Sequence, residues 1–147
     1  MLDEDIDVRC YIYDVALQSG DVPTRAACAR ALARPLESIA ESLRRLHDAH
    51  QIVLAAGGEI LMAMPFSAVP TPFEVHAAGY RSYANCGWDA LGIAAMLGRD
   101  VVISSSCPDC GDPITLSAGR ERGVTDGDAR LHFALPVRRW WESVVFT

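Results

Sequence analysis

A helix of small, apolar residues decides the fold of this 147-residue chain, and residues 86–98 read CGWDALGIAAMLG. Apolar side chains occupy nearly every side of such a helix, which is typical of a helix buried in a protein interior. Strands are predicted after it, over Val101 to Ser105 and Ile114 to Ser117, with a tight turn at Cys107 to Gly111 between them. A buried helix beside short strands predicts an α+β protein with a small mixed β-sheet.

The segments that follow extend this sheet domain, which we expect over residues 73–147. A polar, glycine-bearing loop is predicted over Gly119 to Asp128, and a third strand over Leu131 to Leu135. Trp140-Trp141 begins a last apolar segment, and residues 144–147 have the composition of a strand interior.

Three amphipathic helices are predicted in residues 1–64. The first has apolar residues at i, i+3, i+4 and i+7 and ends at Gly20, the second follows Pro23-Thr24, and the third begins at Pro35. We expect their buried positions to be Val8, Tyr11, Ile12, Val15, Ala27, Cys28, Ala31, Leu32, Leu36, Ile39, Ala40, Leu43 and Leu46.

A β-hairpin is predicted after the third helix, because the apolar runs Ile52 to Leu54 and Ile60 to Met62 flank Gly57-Gly58. Three helices and a hairpin predict a winged-helix-like N-terminal module. Residues 65–72 contain three prolines and no charge, which predicts a stiff linker between this module and the sheet domain.

The charge of the chain argues against a nucleic-acid partner. The formal net charge is −6, and residues 1–64 contain six arginines against ten acidic residues, whereas binding to phosphate requires a positive surface. A DNA-reading third helix would present Arg44, Arg45, His47 and His50, yet Glu37 and Glu41 lie on the same helix. A metal-responsive winged-helix regulator is therefore a less favoured alternative.

The composition also excludes other classes of protein. All 13 basic residues are arginines, so neither a Schiff-base lysine nor a P-loop lysine exists. No apolar run approaches the roughly 18 residues of a membrane span, and the acidic start lacks the positive flank of a signal peptide. We expect a cytoplasmic protein without a membrane partner, in which cysteines stay reduced.

Cys86 and Asp89 form the first candidate site, because residues three apart at a helix start project on the same face. Helix N-terminal amides stabilise a thiolate, which makes Cys86 a candidate nucleophile or soft-metal ligand. Asp89 is a candidate proton donor, kept protonated by apolar walls at Trp88, Leu91, Ile93 and Met96. A packed cysteine beside a helix-capping aspartate stays open as the alternative.

Cys107-Pro-Asp-Cys110 forms the second candidate site, with the spacing of half a zinc knuckle. A structural Zn(II) needs four ligands, so Cys86, His132 or a second subunit in a homodimer would have to complete it. Unligated turn thiols and transient capture of a soft metal are the alternatives. The candidate metal ligands are thus Cys86, Asp89, Cys107 and Cys110, for Hg(II) or Zn(II).

The order of these motifs resembles the alkylmercury lyase (organomercurial lyase) family. The similarity is carried by YANCGWDAL at residues 83–91, AMLGR at 95–99, SSSC at 104–107, GDPITL at 111–116, HFALP at 132–136 and WWE at 140–142. It extends over most of the chain and is strongest from Tyr83 to Leu116.

This resemblance implies an enzyme that cleaves a carbon–mercury bond by protonolysis. Cys86 would correspond to the first mercury-binding thiolate, Asp89 to the proton donor, and Cys107 to a structural family cysteine. The family's second mercury-binding cysteine is expected after a stretch resembling Trp140 to Thr147, where this sequence ends. The expected substrate is a small organometal or thiol-reactive molecule. No cofactor is expected, and Cys107, Cys110 or an external thiol would supply the second sulfur, the external thiol accepting the product. The alternative function is a non-catalytic member of the fold that binds a metal ion through Cys86, Cys107 and Cys110.

Overall fold

The computed structural model describes residues 2–121, 123–125, 129–133, 135–142 and 144. Four α-helices and eight strands follow one another along the chain, with a 3₁₀ helix near its end. They are α1 (Asp3–Ser19), α2 (Arg25–Ala31), α3 (Leu36–Asp48), β1 (Val53–Leu54), β2 (Ile60–Ala63), β3 (Phe66–Ser67), β4 (Glu74–Ala77), β5 (Tyr80–Ala84), α4 (Gly87–Leu97), β6 (Val101–Ser106), β7 (Pro113–Gly119), β8 (Gly123–Thr125) and the 3₁₀ helix Val137–Glu142.

The strands form one sheet in the order β1-β2-β3-β5-β4-β6-β7-β8, and every neighbouring pair of described strands is antiparallel. The α+β class is confirmed, but the expected mixed sheet is wrong. The connection through α4 does join two parallel strands, β5 and β6. Because β4 lies between them and pairs antiparallel with both, no parallel pair forms.

The N-terminal helices and the hairpin are confirmed, and they enclose a core of their own. This core comprises Val8, Ile12, Cys28, Ile39, Leu43, Leu46, Ile52, Ile60 and Ala63. Two expected core positions are wrong, because Leu36 is 41% exposed and Ala31 is exposed. Leu36 begins α3 and Ala31 ends α2, so each side chain lies at a helix end that is exposed to solvent. The likeness to a winged helix stays a prediction.

The proline-rich segment over residues 65–72 contributes the two-residue strand Phe66–Ser67 to the sheet. Its strand β3 pairs with β2 on one side and β5 on the other, and Phe66 is fully buried. The sheet therefore continues from the hairpin into the C-terminal strands, where a stiff linker was expected. The physical reason is that removing the large apolar side chain of Phe66 from water is favourable, even though prolines flank it. The domain limits stay predictions.

Helix α4 buries one face, in contrast to the expected burial on nearly every side. Ala90, Ile93 and Ala94 pack into the core on the sheet, while Trp88 is 55% and Met96 43% exposed. A single sheet covers only one side of a helix, so the other side of α4 stays accessible despite its apolar composition.

The last described segments also differ from expectation. The loop predicted over Gly119 to Asp128 contains β8, which pairs with β7. No strand exists at the described residues 131–133 and 135, because Leu131 and Phe133 pack on the start of α4 instead of along a sheet edge. Of the strand-like residues 144–147, 145–147 lie outside the described residues. None of the described helices has the length and hydropathy that crossing a bilayer requires.

Candidate functional site

Cys86 lies at the junction between β5 and α4, where the chain changes from extended to helical. Its φ of −152° and ψ of 178° are extended, and it is the N-cap residue of α4. The Asp89 backbone N–H donates to Cys86 Sγ over 3.4 Å, so the thiol takes the position that a serine or aspartate oxygen usually occupies. The predicted pairing of Cys86 with Asp89 on one helix turn is therefore present, and both residues are half-buried.

Burial controls the protonation of both groups. Desolvation raises the pKa of the Cys86 thiol, and the backbone N–H of Asp89 opposes this only in part. The helix N-terminal amides do favour the thiolate as expected, but burial outweighs them. Desolvation likewise raises the pKa of the Asp89 carboxyl, against opposing contributions from Asn85 and Cys86. The site therefore combines a thiol with a carboxyl that retains its proton to a higher pH than an exposed aspartate does.

Asn85 is the site residue that sequence reasoning missed. Its backbone N–H and its Nδ2 both donate to the Pro65 carbonyl, over 3.3 and 3.1 Å, which fixes the backbone directly before Cys86. The adjacent Met64 carbonyl accepts a 2.8 Å hydrogen bond from the Tyr13 hydroxyl of α1. The sequence signal for Asn85 was an amide side chain at a strand-to-helix junction. Its partner, the Pro65 carbonyl, lies 20 residues away in sequence, so a local pattern does not reveal the contact.

Aromatic residues from the C-terminal segment cover the start of α4. Phe133 lies edge-on to Trp88 with ring centroids 6.2 Å apart, and Trp140 lies 5.4 Å from Phe133 on the other side. Leu131 reaches Gly87 so closely that a Cβ there would lie 2.6 Å from its Cδ2. Gly87 thus permits this covering segment to approach the residue next to Cys86.

The predicted apolar walls around Asp89 are only partly correct. Trp88 lies beside the site but is largely exposed, and Met96 is exposed toward the other end of α4. Ile93 faces the sheet core. Leu131 and Phe133, from a segment predicted to be a strand, contribute apolar contacts at Gly87 and Trp88, next to the site.

Cys107 and Cys110 lie in the turn between β6 and β7. The Cys107 N–H donates to the Asp112 carbonyl over 2.8 Å, and the Gly111 N–H donates to the Cys107 carbonyl over 2.9 Å. Within the described part of the chain, no three histidine, cysteine, aspartate or glutamate residues form a metal-binding group. The described residues therefore do not bring Cys86, Cys107, Cys110 or His132 together as one metal-binding group, and the metal-ligand assignment stays a prediction.

The fold and the site define a class of protein, namely an α+β protein that presents one half-buried thiol and one carboxyl of raised pKa on the first turn of a helix. The chain belongs to the alkylmercury lyase family, because the family model "MerB: Alkylmercury lyase" matches residues 66–147, more than half of the chain.

Individual relatives agree with this assignment. An alkylmercury lyase of Bacillus cereus is 29% identical over 101 residues, which cover 69% of this chain and 44% of that protein. An alkylmercury lyase of Staphylococcus epidermidis is 28% identical over 109 residues, covering 74% and 49%. The chain thus spans about half the length of the curated relatives it matches.

A solved structure supports the fold. It is described as the crystal structure of the mercury-bound form of MerB2, and it matches with a TM-score of 0.65 and 22% sequence identity. The match covers 86% of this chain and 60% of that one. The helices and the antiparallel sheet are therefore those of the family's fold.

Proposed function

We propose that this chain cleaves the carbon–mercury bond of organomercurials, with Cys86 holding the metal and Asp89 donating the proton. The observation that carries the proposal is the position of a carboxyl with raised pKa within one helix turn of a half-buried thiol. Membership of the alkylmercury lyase family supports this choice of substrate.

The first step is exchange of the proton on Cys86 for mercury. The thiol binds R–Hg–X, its proton leaves with X as HX, and an R–Hg–S bond forms. Because mercury is a soft metal, the sulfur binds it in preference to a proton even though burial raises the thiol pKa.

The second step is protonation of the carbon. The neutral Asp89 carboxyl transfers its proton to the carbon bonded to mercury, and the electron pair of the C–Hg bond becomes the C–H bond. R–H leaves, Hg(II) stays on Cys86, and Asp89 is left as a carboxylate. A carboxyl whose neutral form is favoured by burial is suited to this step.

An external thiol accepts the product ion in this proposal. Family members are expected to use two thiolates, and among the described residues no group of three or more histidine, cysteine, aspartate or glutamate side chains includes Cys86. Cys28 is fully buried in the N-terminal core, and Cys10 is exposed on α1. A small monothiol therefore supplies the second sulfur to Hg(II) on Cys86, and the reaction requires no cofactor.

The regulator alternative is not favoured by the surroundings of α3. Arg45 contacts Glu4 and Asp5 through ion pairs at 2.7 Å, and His47 Nδ1 lies 3.2 Å from the Ile52 carbonyl. His50 stacks on Trp141 with ring centroids 4.1 Å apart. Three of the four basic residues that a DNA-reading helix would offer thus have contacts within the chain, and the fourth, Arg44, is exposed.

The test is release of benzene from phenylmercuric acetate in excess monothiol, measured in the headspace. We expect benzene from the unmodified chain and from the control Cys10→Ser, and none above background from Cys86→Ser. Asp89→Asn should still bind phenylmercury stoichiometrically but release benzene at least 100-fold more slowly, as expected from loss of a general acid. Unchanged release by either site variant would refute the mechanism.

A further inference from the structure

The turn between β6 and β7 presents two thiols that the proposed mechanism does not use. Cys110 is exposed and Cys107 is half-buried. Two backbone hydrogen bonds close the turn that carries them, from the Cys107 N–H to the Asp112 carbonyl over 2.8 Å and from the Gly111 N–H to the Cys107 carbonyl over 2.9 Å. The chain thus holds two thiols three residues apart in one closed turn, at an accessible position.

The backbone of this turn is fixed before any ligand binds. The 2.8 Å hydrogen bond from the Cys107 N–H to the Asp112 carbonyl extends the β6–β7 ladder past its last paired residues. Pro108 restricts φ between the cysteines, and Gly111 supplies the φ of +77° that the turn requires. Such preorganisation lowers the entropic cost of bringing both sulfurs onto one ion.

The two sulfurs suit mercury better than zinc. Structural Zn(II) requires four ligands, and in the part of the chain described by the structure no third histidine, cysteine or carboxylate joins the pair. Mercury(II) is a soft ion, for which two thiolates are a complete ligand set. The remaining thiols offer no comparable pair, because Cys28 is buried in the N-terminal core and Cys10 is exposed on α1.

The pair lies at the same edge of the sheet as Cys86. Glu74 of β4 pairs with Tyr83 of β5 on one side and with Ser104 of β6 on the other, so β5 and β6 run in the same direction. Cys86 lies three residues after Tyr83, and Cys107 lies three residues after Ser104. With one strand between them, β5 and β6 are separated by about 10 Å, or two inter-strand spacings.

We propose that Cys107 and Cys110 form a second, two-coordinate Hg(II) site that receives the ion after cleavage at Cys86. Binding of Hg(II) by this pair is independent of the proposed function, whereas receipt of the ion from Cys86 rests on it. A thiolate pair at the same sheet edge would keep the product ion off the reacting cysteine and free it for another substrate molecule.

The transfer balances without an oxidant or reductant. Hg(II) begins bonded to Cys86 and to the sulfur of a small monothiol R′SH. Both of these Hg–S bonds break, and two bonds form, to Cys107 and Cys110. The protons lost by Cys107 and Cys110 go to Cys86 and to R′S, which restores Cys86–SH and releases R′SH. The oxidation state of mercury does not change.

Binding by the pair is tested in the Cys86→Ser background with mercuric chloride, followed by dialysis against excess 2-mercaptoethanol, which also keeps the thiols reduced. We expect Cys86→Ser and the control Cys86→Ser/Cys10→Ser to retain one Hg(II) per chain. Cys86→Ser/Cys110→Ser should retain at least tenfold less, because a single thiolate exchanges with the competing monothiol. Equal retention by all three variants would refute the site, with circular dichroism confirming that each is folded.

Transfer is tested by locating mercury after a single turnover of phenylmercuric acetate on the unmodified chain. Trypsin cleaves after arginine, so Cys86 falls in the peptide of residues 82–99, and Cys107 and Cys110 fall together in residues 100–120. Because Hg(II) exchanges between thiols during digestion, free thiols are first alkylated with iodoacetamide in the folded chain. Mass spectrometry should then find the second peptide protected from alkylation by Hg(II) and the first peptide alkylated.

The outcomes of this experiment separate the two proposals. Benzene release with mercury only on residues 82–99 would refute the transfer and leave the lyase proposal standing. Absence of benzene, with mercuric chloride still bound by the pair, would refute the lyase proposal and leave the second site standing.

Discussion

Replacement of Asp5 by asparagine should destabilise the chain in a way that depends on pH. Asp5 is fully buried in the first turn of α1 and accepts hydrogen bonds from Arg45 Nη2 at 2.7 Å and Nε at 3.0 Å. Its other oxygen accepts the Leu2 N–H over 3.0 Å. These contacts attach α1 to α3, because Asp5 and Arg45 lie 40 residues apart in sequence.

The size of the effect follows from the pKa of this carboxyl. Hydrogen bonding to Arg45 outweighs burial and lowers the pKa of Asp5 from 3.8 to about 2. At about 1.4 kcal/mol per pH unit, the charged form contributes about 2 kcal/mol to the free energy of unfolding, less some screening because Arg45 is partly exposed. Because the folded pKa is lower, this stability is fully present above pH 3.8 and is lost as pH falls through about 2.

Urea denaturation followed by circular dichroism between pH 2 and 7 measures this difference. We expect Asp5→Asn to be about 2 kcal/mol less stable than the unmodified chain at pH 7, with the gap closing toward pH 2. Asp7→Asn, which removes the same charge at an exposed position of α1, should lie within about 0.5 kcal/mol of the unmodified chain. A gap that stays constant from pH 7 to pH 2 would show that the Asp5 charge is not its cause.

Three further outcomes are expected. Gly20→Ala should lower the free energy of unfolding by more than about 2 kcal/mol, because φ is +86° and the new Cβ would fall on a backbone carbonyl of β5. Gly79→Ala, where φ is +68° but the space around it is open, should lower it by only about 1 kcal/mol. The urea midpoints of the two variants measure this difference. Tyr80→Phe should lose about 1 kcal/mol by the same measurement, since its hydroxyl donates a buried 2.9 Å hydrogen bond to α1. With phenylmercury already bound, the single-turnover rate of benzene release should fall as pH rises through the raised pKa of Asp89, because only the neutral carboxyl donates a proton; a rate that climbs with pH would contradict this role.

Several elements were predictable because their causes are local. Gly57-Gly58 between two apolar runs predicted the hairpin, since a tight turn depends on the residues within it. The spacing of Cys86 and Asp89 predicted their shared helix turn for the same reason. The order of motifs indicated the family, and the match over residues 66–147 confirms it.

Other elements depended on distant partners. The strand expected over Leu131 to Leu135 does not form at its described residues, because Phe133 packs on Trp88 of α4 instead of joining a sheet edge. The segment around Phe66 was expected to be a linker because prolines flank it, yet β2 and β5 both pair with it. Composition indicates the conformation that a segment prefers in isolation, whereas the conformation of these two segments is set by the residues that pack on them or pair with them.

The sequence by itself determined the helix start that places Cys86 and Asp89 together, and the turn that joins Cys107 to Cys110, because both depend on residues within four positions of each other. Only the tertiary structure decided how these groups behave. Burial in the folded chain raises the pKa of both Cys86 and Asp89. Desolvation depends on everything that surrounds a group, so no short stretch of sequence specifies it.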